Sequence, residues 1–211
     1  DIPVPDGYML QEFCQATPAS VSFVANGTDA VILGLSEQLC GLEKFAAKPF
    51  LYCGNIVPLT FSHCNSSSSV REQVLAKVRR MVNVITAKCG LIGVNGIDFL
   101  VTDEGNVLFL EVNPRYSSSM ELYRKAYGLD IFGLHVEAFQ NRLPNRPWDL
   151  VTVDTNAWFD RGIRDIPQPG EEIPAETPLC TVFAKAKSRD GCLAALEKQQ
   201  AWVLANVRRT G

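Results

Sequence analysis

The chain has 211 residues, 46% of them hydrophobic and 20% charged, with a net charge of −3; this is the make-up of a globular protein long enough for one large domain. Its basic runs are arginine pairs, Arg79/Arg80 and Arg208/Arg209, which argues against the dense basic face that nucleic-acid binding requires. No apolar stretch approaches the roughly 20 residues of a membrane helix, and seven cysteines without a C-x-x-C pair argue against a zinc centre or a disulfide framework.

Reduced thiols in a cytoplasmic protein are the expectation. The opening DIPVPDGYML lacks Met and a leader pattern, and reads as a trimmed or shortened chain. Residues 8–14, YMLQEFC, are short, apolar-rich and read as a strand. SVSFVAN at 20–26 alternates, Gly27 and Thr28 form a turn signal, and 29–39 supply the partner strand of a hairpin. Residues 40–49 read as a loop, and 50–59, FLYCGNIVPL, as a strand closed by Pro58.

Asn65 and the serines that follow offer several helix N-caps. Val70, Val74, Val78, Met81, Val82, Ile85 and Cys89 then recur at helical spacing with basic residues opposite. Lys88 suits the negative end of that helix, and Gly90 is its stop. A hairpin follows, GIDFLVTDEGNVLFLEVNPRYSSS at 96–119, turned by DEGN. Two short helices are expected near 120–127 and 129–140, separated by Gly128, and NRLPNRPWD at 141–149 reads as a boundary. Beyond it, LVTVDTNAWF and PLCTVFAKA read as strands around a Pro-rich excursion, and a last helix is expected over 189–208.

The chemistry concentrates in the 96–119 hairpin. Side chains alternate along a strand, so Glu111, Asn113 and Arg115 are expected on one face, with Leu110 and Val112 turned to the core. Counting back from the DEGN turn places Asp98 beside Glu111. Two carboxylates side by side repel unless something positive lies between them. With the amide oxygen of Asn113 they form a hard oxygen set of the kind Mg²⁺ prefers, and Arg115 at the rim can hold a phosphoryl group or a carboxylate. The plain alternative is a solvated sheet face on which charges point to water.

The motif GIDFLVTDEGNVLFLEVNPR resembles the metal-binding core of the ATP-grasp superfamily, in which an acidic residue in one strand is followed by a turn and Glu-x-Asn-x-Arg in the next. YMLQEFCQATPASVSFVANG is similar to the family's hinge strand and the small-domain strands after it, and KAYGLDIFGLHVEAF to the helix after the metal strand. LYCGNIVPL and PLCTVFAKA are similar to a branch found in methylotrophs and methanogens, linked there to pterin or furan C1-cofactor pathways.

The resemblance implies an α+β fold with an antiparallel sheet core and flanking helices. It implies an ATP-grasp core over 1–143, made of a partial small subdomain (1–40) and a metal-binding large subdomain (41–143), with a small α+β appendage over 144–211. It further implies an Mg-ATP-dependent ligase (Mg²⁺ or Mn²⁺) that activates a small carboxylate as acyl-phosphate for attack by an amine or thiol. Asp98, Glu111 and Asn113 would hold metal, and Arg115 would stabilise the transferring phosphoryl group.

The nucleotide would lie near Gln11, Glu12 and Phe13, although Glu12 can equally be a strand-end charge. Ser117, Ser118, Ser119 and Glu121 would border the acceptor pocket, or form a loop with a helix N-cap at Ser119. Lys44 and Lys48 could reach phosphate or stand as solvated loop charges. The family's upstream lysines and N-terminal domain have no counterpart here, so the expectation is a C-terminal portion, inactive alone. A non-catalytic nucleotide- or partner-binding domain is the alternative. His63 is expected at the surface, His135 is expected to pack or to be exposed, and the scattered Trp148, Trp158 and Trp202 make no platform for bases.

Overall fold

The computed structural model describes residues 3–45, 47–60, 68–145, 163–164 and 180–206. A five-stranded antiparallel sheet is its centre, in the order β3-β2-β1-β4-β5. The strands are β1 (Thr17–Asn26), β2 (Ala30–Cys40), β3 (Tyr52–Ile56), β4 (Ile92–Val101) and β5 (Val107–Asn113). Asn26 builds the β1–β2 turn, its Oδ1 accepting from the backbone N–H of Thr28 at 3.2 Å and of Asp29 at 2.8 Å. The hairpin expected there is present, with Ser20 opposite Ser36 and Ser22 opposite Gly34.

One face of the sheet is covered by α1 (Ser68–Cys89). Val74, Val78 and Val82 are fully buried against Ala19, Val21, Phe23, Ile97 and Phe99. Each such valine contributes about 1.5–3 kcal/mol relative to an exposed one. Thr86, not Cys89, ends the buried stripe; Cys89 is exposed, because a helix turns 100° per residue and the stripe has rotated off the sheet. The helix stops as expected, with the N–H of Gly90 on the Thr86 carbonyl at 2.8 Å.

The opposite face carries α2 (Ser118–Tyr127) and α3 (Ile131–Phe139) over one end only. Val24, Leu33 and Val94 of the sheet are buried there against Met120, Tyr123, Ile131 and Leu134. Asp130 starts α3 by accepting from the Gly133 N–H at 2.9 Å. The ring of Tyr123 lies so close to Gly34 that a Cβ at that position would collide with it. The other end of this face is left uncovered, and the candidate site stands there.

Several expectations change. Residues 8–14 form no strand, and Tyr8, Met9, Leu10 and Phe13 are exposed. A strand needs an edge to pair with, and this segment joins neither β3 nor β5. β2 pairs with β3 across residue 40 within the same sheet. The last helix, α4 (Arg189–Asn206), packs on that sheet. Its Leu193 is buried with Leu39 and Ile56, Arg189 grips the buried Glu37, and Lys44 pairs with Glu197 at 2.7 Å.

The short strands β6 (Ile163–Arg164) and β7 (Thr181–Val182) pair with each other. The strand expected at LVTVDTNAWF, the Pro-rich excursion, His63, Trp148 and Trp158 lie outside the described residues. Among the described residues, no disulfide joins the cysteines and no helix is long and apolar enough to cross a membrane.

Candidate active site

The strand registers line up two rows of side chains across the uncovered face. The first is Ser36, Ser20, Asp98, Glu111, and the second is Gly34, Ser22, Gly96, Asn113. Asp98 and Glu111 therefore stand directly opposite each other, as the turn count predicts. Asn113 ties them together, its Nδ2 donating to Glu111 Oε1 at 3.0 Å and to Asp98 Oδ2 at 3.2 Å. Burial raises the Asp98 carboxyl above the usual range, Gln38 and Asn113 oppose this by hydrogen bonding, and the charge of Glu111 adds to the rise. A pair of unneutralised carboxylates of this kind is what a divalent cation relieves.

Arg115 sits where expected but arrives differently. β5 ends at Asn113, and the chain turns tightly over Pro114, with the Arg115 N–H on the Asn113 carbonyl at 2.8 Å. The guanidinium then folds back, Nη2 donating to Asn113 Oδ1 at 3.1 Å. Leu110 departs further from expectation. A β-bulge between Asp98 and Phe99 places Glu111 opposite Asp98 and Phe109 opposite Phe99, so Leu110 is the extra residue. In a bulge the extra side chain joins its neighbour's face. Leu110 is thus 41% exposed and lines the cleft instead of the core.

Gln11, Gln38, Asp98, Leu110 and Glu111 line an open cleft of about 280 Å³. Of the residues expected at the nucleotide, Gln11 reaches this cleft, whereas Glu12 is exposed and Phe13 meets Phe50 edge-on at 6.0 Å. Lys44 is engaged by Glu197, and Lys48 is exposed.

The serine loop is tied into the fold. Ser117 precedes α2 and Ser118 begins it, so Ser119 is not the N-cap. Ser119 is buried, 3.1 Å from both Ser22 Oγ and Ser117 Oγ. Ser22 of β1 thus holds the loop where a free cap was expected, since α2 must approach the sheet to bury Met120. Glu121 is held by Arg124 through two contacts, at 3.0 and 2.8 Å, which keep its carboxyl below the usual range, and by Tyr116 at 3.3 Å.

Behind the carboxylates lies a polar floor that the motif does not reveal. Ser20 and Ser36 are 2.7 Å apart, Ser36 Oγ donates to Asn55 Oδ1 at 3.3 Å, and Asn55 Nδ2 donates to Tyr52 Oη at 2.5 Å. The signal was present in the sequence as serines at every second position of an otherwise apolar strand, SVSFVAN. On the covered end, His135 is half-buried and accepts from the Val94 N–H at 3.1 Å.

Residues 2–119 match the family model described as an ATP-grasp domain. The chain is 28% identical over 137 residues to the carbamoyl phosphate synthase large chain of Rhodopirellula baltica, a stretch covering 62% of this chain and 12% of that protein. Among solved structures, biotin carboxylase from Campylobacter jejuni is similar at TM-score 0.50 and 14% identity, over 64% of this chain and 28% of that one. A protein of the ATP-grasp superfamily from Archaeoglobus fulgidus matches at TM-score 0.47 and 28% identity, over 64% and 38%. The chain therefore spans about an eighth of the length of the curated relative it matches.

Proposed function

Since the chain belongs to the ATP-grasp domain family, we propose that it carries the nucleotide and metal half of an ATP-dependent ligase that activates a carboxylate for attack by an amine or thiol. One observation carries the reading: Asp98 and Glu111 face each other in register, bridged by Asn113, with Arg115 on the same amide. Among the described residues no group of three or more His, Cys, Asp or Glu is placed to hold a metal; the donor set would be the two carboxylates, joined by the oxygen of Asn113 once its amide turns over from the bonds it now makes to them and to Arg115. Hard oxygens of that kind fit Mg²⁺ or Mn²⁺ better than a softer metal. When bound, the cation draws charge from the phosphates and eases displacement at the γ-phosphorus.

The remaining roles fall to the chain's own residues. Gln11 enters the same cleft as Asp98 and would contact the nucleotide, with Glu12 and Phe13 beside it. Leu110 offers the apolar part of that wall. Arg115, exposed at the rim, would hold an oxygen of the transferring group while its partner Asn113 is engaged. Lys44 and Lys48 would act on the phosphates only by leaving the loop positions they now hold. Ser117, Ser118, Ser119 and Glu121 would border the acceptor. In the reaction, a carboxylate oxygen bonds to the γ-phosphorus as the bond to the β-phosphate oxygen breaks and ADP leaves. The amine or thiol then bonds to the acyl carbon and phosphate departs.

Calorimetric titration with ATP, with and without Mg²⁺, tests this reading on the wild type and on Glu111→Gln. Mg-dependent binding that Glu111→Gln abolishes is expected, and ADP release on adding carboxylate and amine separates an enzyme from a non-catalytic nucleotide binder. ATP binding that is indifferent to Mg²⁺ or to Glu111→Gln would remove this hairpin from the chemistry.

A further inference from the structure

The polar floor of the cleft has a direction, set by counting protons. A serine hydroxyl has one hydrogen. Ser36 spends its own on Asn55 Oδ1, so the short Ser20–Ser36 contact has Ser20 as donor. Accepting from Ser36 leaves Asn55 with only its Nδ2 to offer, and that nitrogen donates to Tyr52 Oη. Ser118 also reaches the same oxygen. The Tyr52 oxygen accepts from Asn55, so its own proton is not spent on that amide and can go to Ser118 or to a bound acceptor.

Tyr52 pairs with Cys40, on the same face as Ser36 and Gln38. It stands on edge strand β3, across the face from Glu111 on edge strand β5. The charge of Asp98 is felt at the phenol, and the side chain is 44% exposed. A neutral donor thus shares the sheet face with the carboxylates, at the opposite edge of the sheet. Asp98 and Glu111 repel an anion on their own side, whereas the β3 side presents Tyr52, Asn55 and Ser118, all uncharged.

We propose that Tyr52 is the positioning residue for the acceptor, its hydroxyl donating a hydrogen bond to an oxygen of the carboxylate to be activated; this rests on the ligase reading above. The relay from Ser20 through Asn55 orients that donor before the acceptor arrives, which reduces the ordering cost of binding. Burial holds the phenol up at about 12, so it remains a donor at neutral pH.

The test is calorimetry on the full natural chain, titrating first MgATP and then, into protein saturated with MgADP, sodium acetate and sodium bicarbonate as carboxylate probes. Wild type is expected to bind nucleotide and at least one probe. Tyr52→Phe is expected to keep its nucleotide affinity and to bind the probe about 10-fold or more weakly, the loss of one hydrogen bond to a charged oxygen. Asn55→Ala retains the hydroxyl but frees the ring, and is expected to lose less. Equal probe affinity in wild type and Tyr52→Phe, or no probe binding by a wild type that takes MgATP, overturns the role of Tyr52 and leaves the ligase reading standing. Failure of wild type to bind MgATP overturns both. If circular dichroism shows Tyr52→Phe unfolded, Asn55→Ala decides, and unchanged probe affinity there overturns the proposal.

Discussion

Replacing Arg189 by Met removes one partner from the ion pair that holds α4 on the sheet. Its guanidinium contacts both oxygens of Glu37, with Nε at 3.0 and 2.9 Å and Nη2 at 2.6 Å. Glu37 lies within the sheet on β2, its side chain only 6% exposed, while that of Arg189 is 24% exposed. Asp190 is a weak substitute partner, 3.8 Å from Arg189 and 96% exposed. Removing one member of a buried pair costs about 3–5 kcal/mol, because the other is left as an uncompensated charge. The partial exposure of Arg189 points to the lower end, about 3 kcal/mol.

In urea, with a slope of about 2 kcal/mol per molar, the midpoint of Arg189→Met should fall by roughly 1.5 M. The double variant Glu37→Met/Arg189→Met should recover most of that loss, because an apolar pair of similar size removes the stranded charge. The buried Leu193 is untouched in both variants and keeps α4 in contact with Leu39 and Ile56. A single-variant loss under about 0.5 kcal/mol would refute the reasoning, since it would mean that Glu37 is solvated or that α4 is not part of the same cooperative unit.

Asp98→Asn should make the protein more stable at neutral pH while it abolishes Mg²⁺ binding. The folded carboxyl is raised above its ordinary value by burial first, with Glu111 adding to the rise. The native state therefore holds its proton more tightly than the unfolded chain, and stability is lost as pH rises from the ordinary carboxylate value through the raised one. Urea midpoints at acid and neutral pH check this, and a wild-type stability that rises across that window, with Asp98→Asn flat, would contradict it. Gly93→Ala should destabilise by about 2 kcal/mol, because φ there is +80° and a Cβ would come within 2.6 Å of His135 Cε1. Thermal melting reads this, and a Tm equal to wild type would show that α3 does not press on β4 as described.

Much of this fold follows from local pattern. The β1–β2 hairpin and α1 with its valine stripe each depend on residues near one another in the chain, where spacing and a turn leave one solution; the count from the turn meets the observed opposition of Asp98 to Glu111 only because the bulge at Leu110 shifts the register by one. The candidate metal set was legible for the same reason, since a single hairpin carries all of it. Distant partners govern the rest. Residues 8–14 are as apolar as a strand but find no edge, and Leu110 faces the cleft because a bulge, invisible in the alternation of its own strand, turns it there. Glu37 and Arg189 lie 152 residues apart, and nothing local in either marks them as a pair. The relay from Ser20 to Tyr52 spans three strands whose serines read singly as ordinary polar positions. Periodicity reports which side of an element is buried; which element buries it, and which polar atoms meet, is settled only when the strands take their order in the sheet.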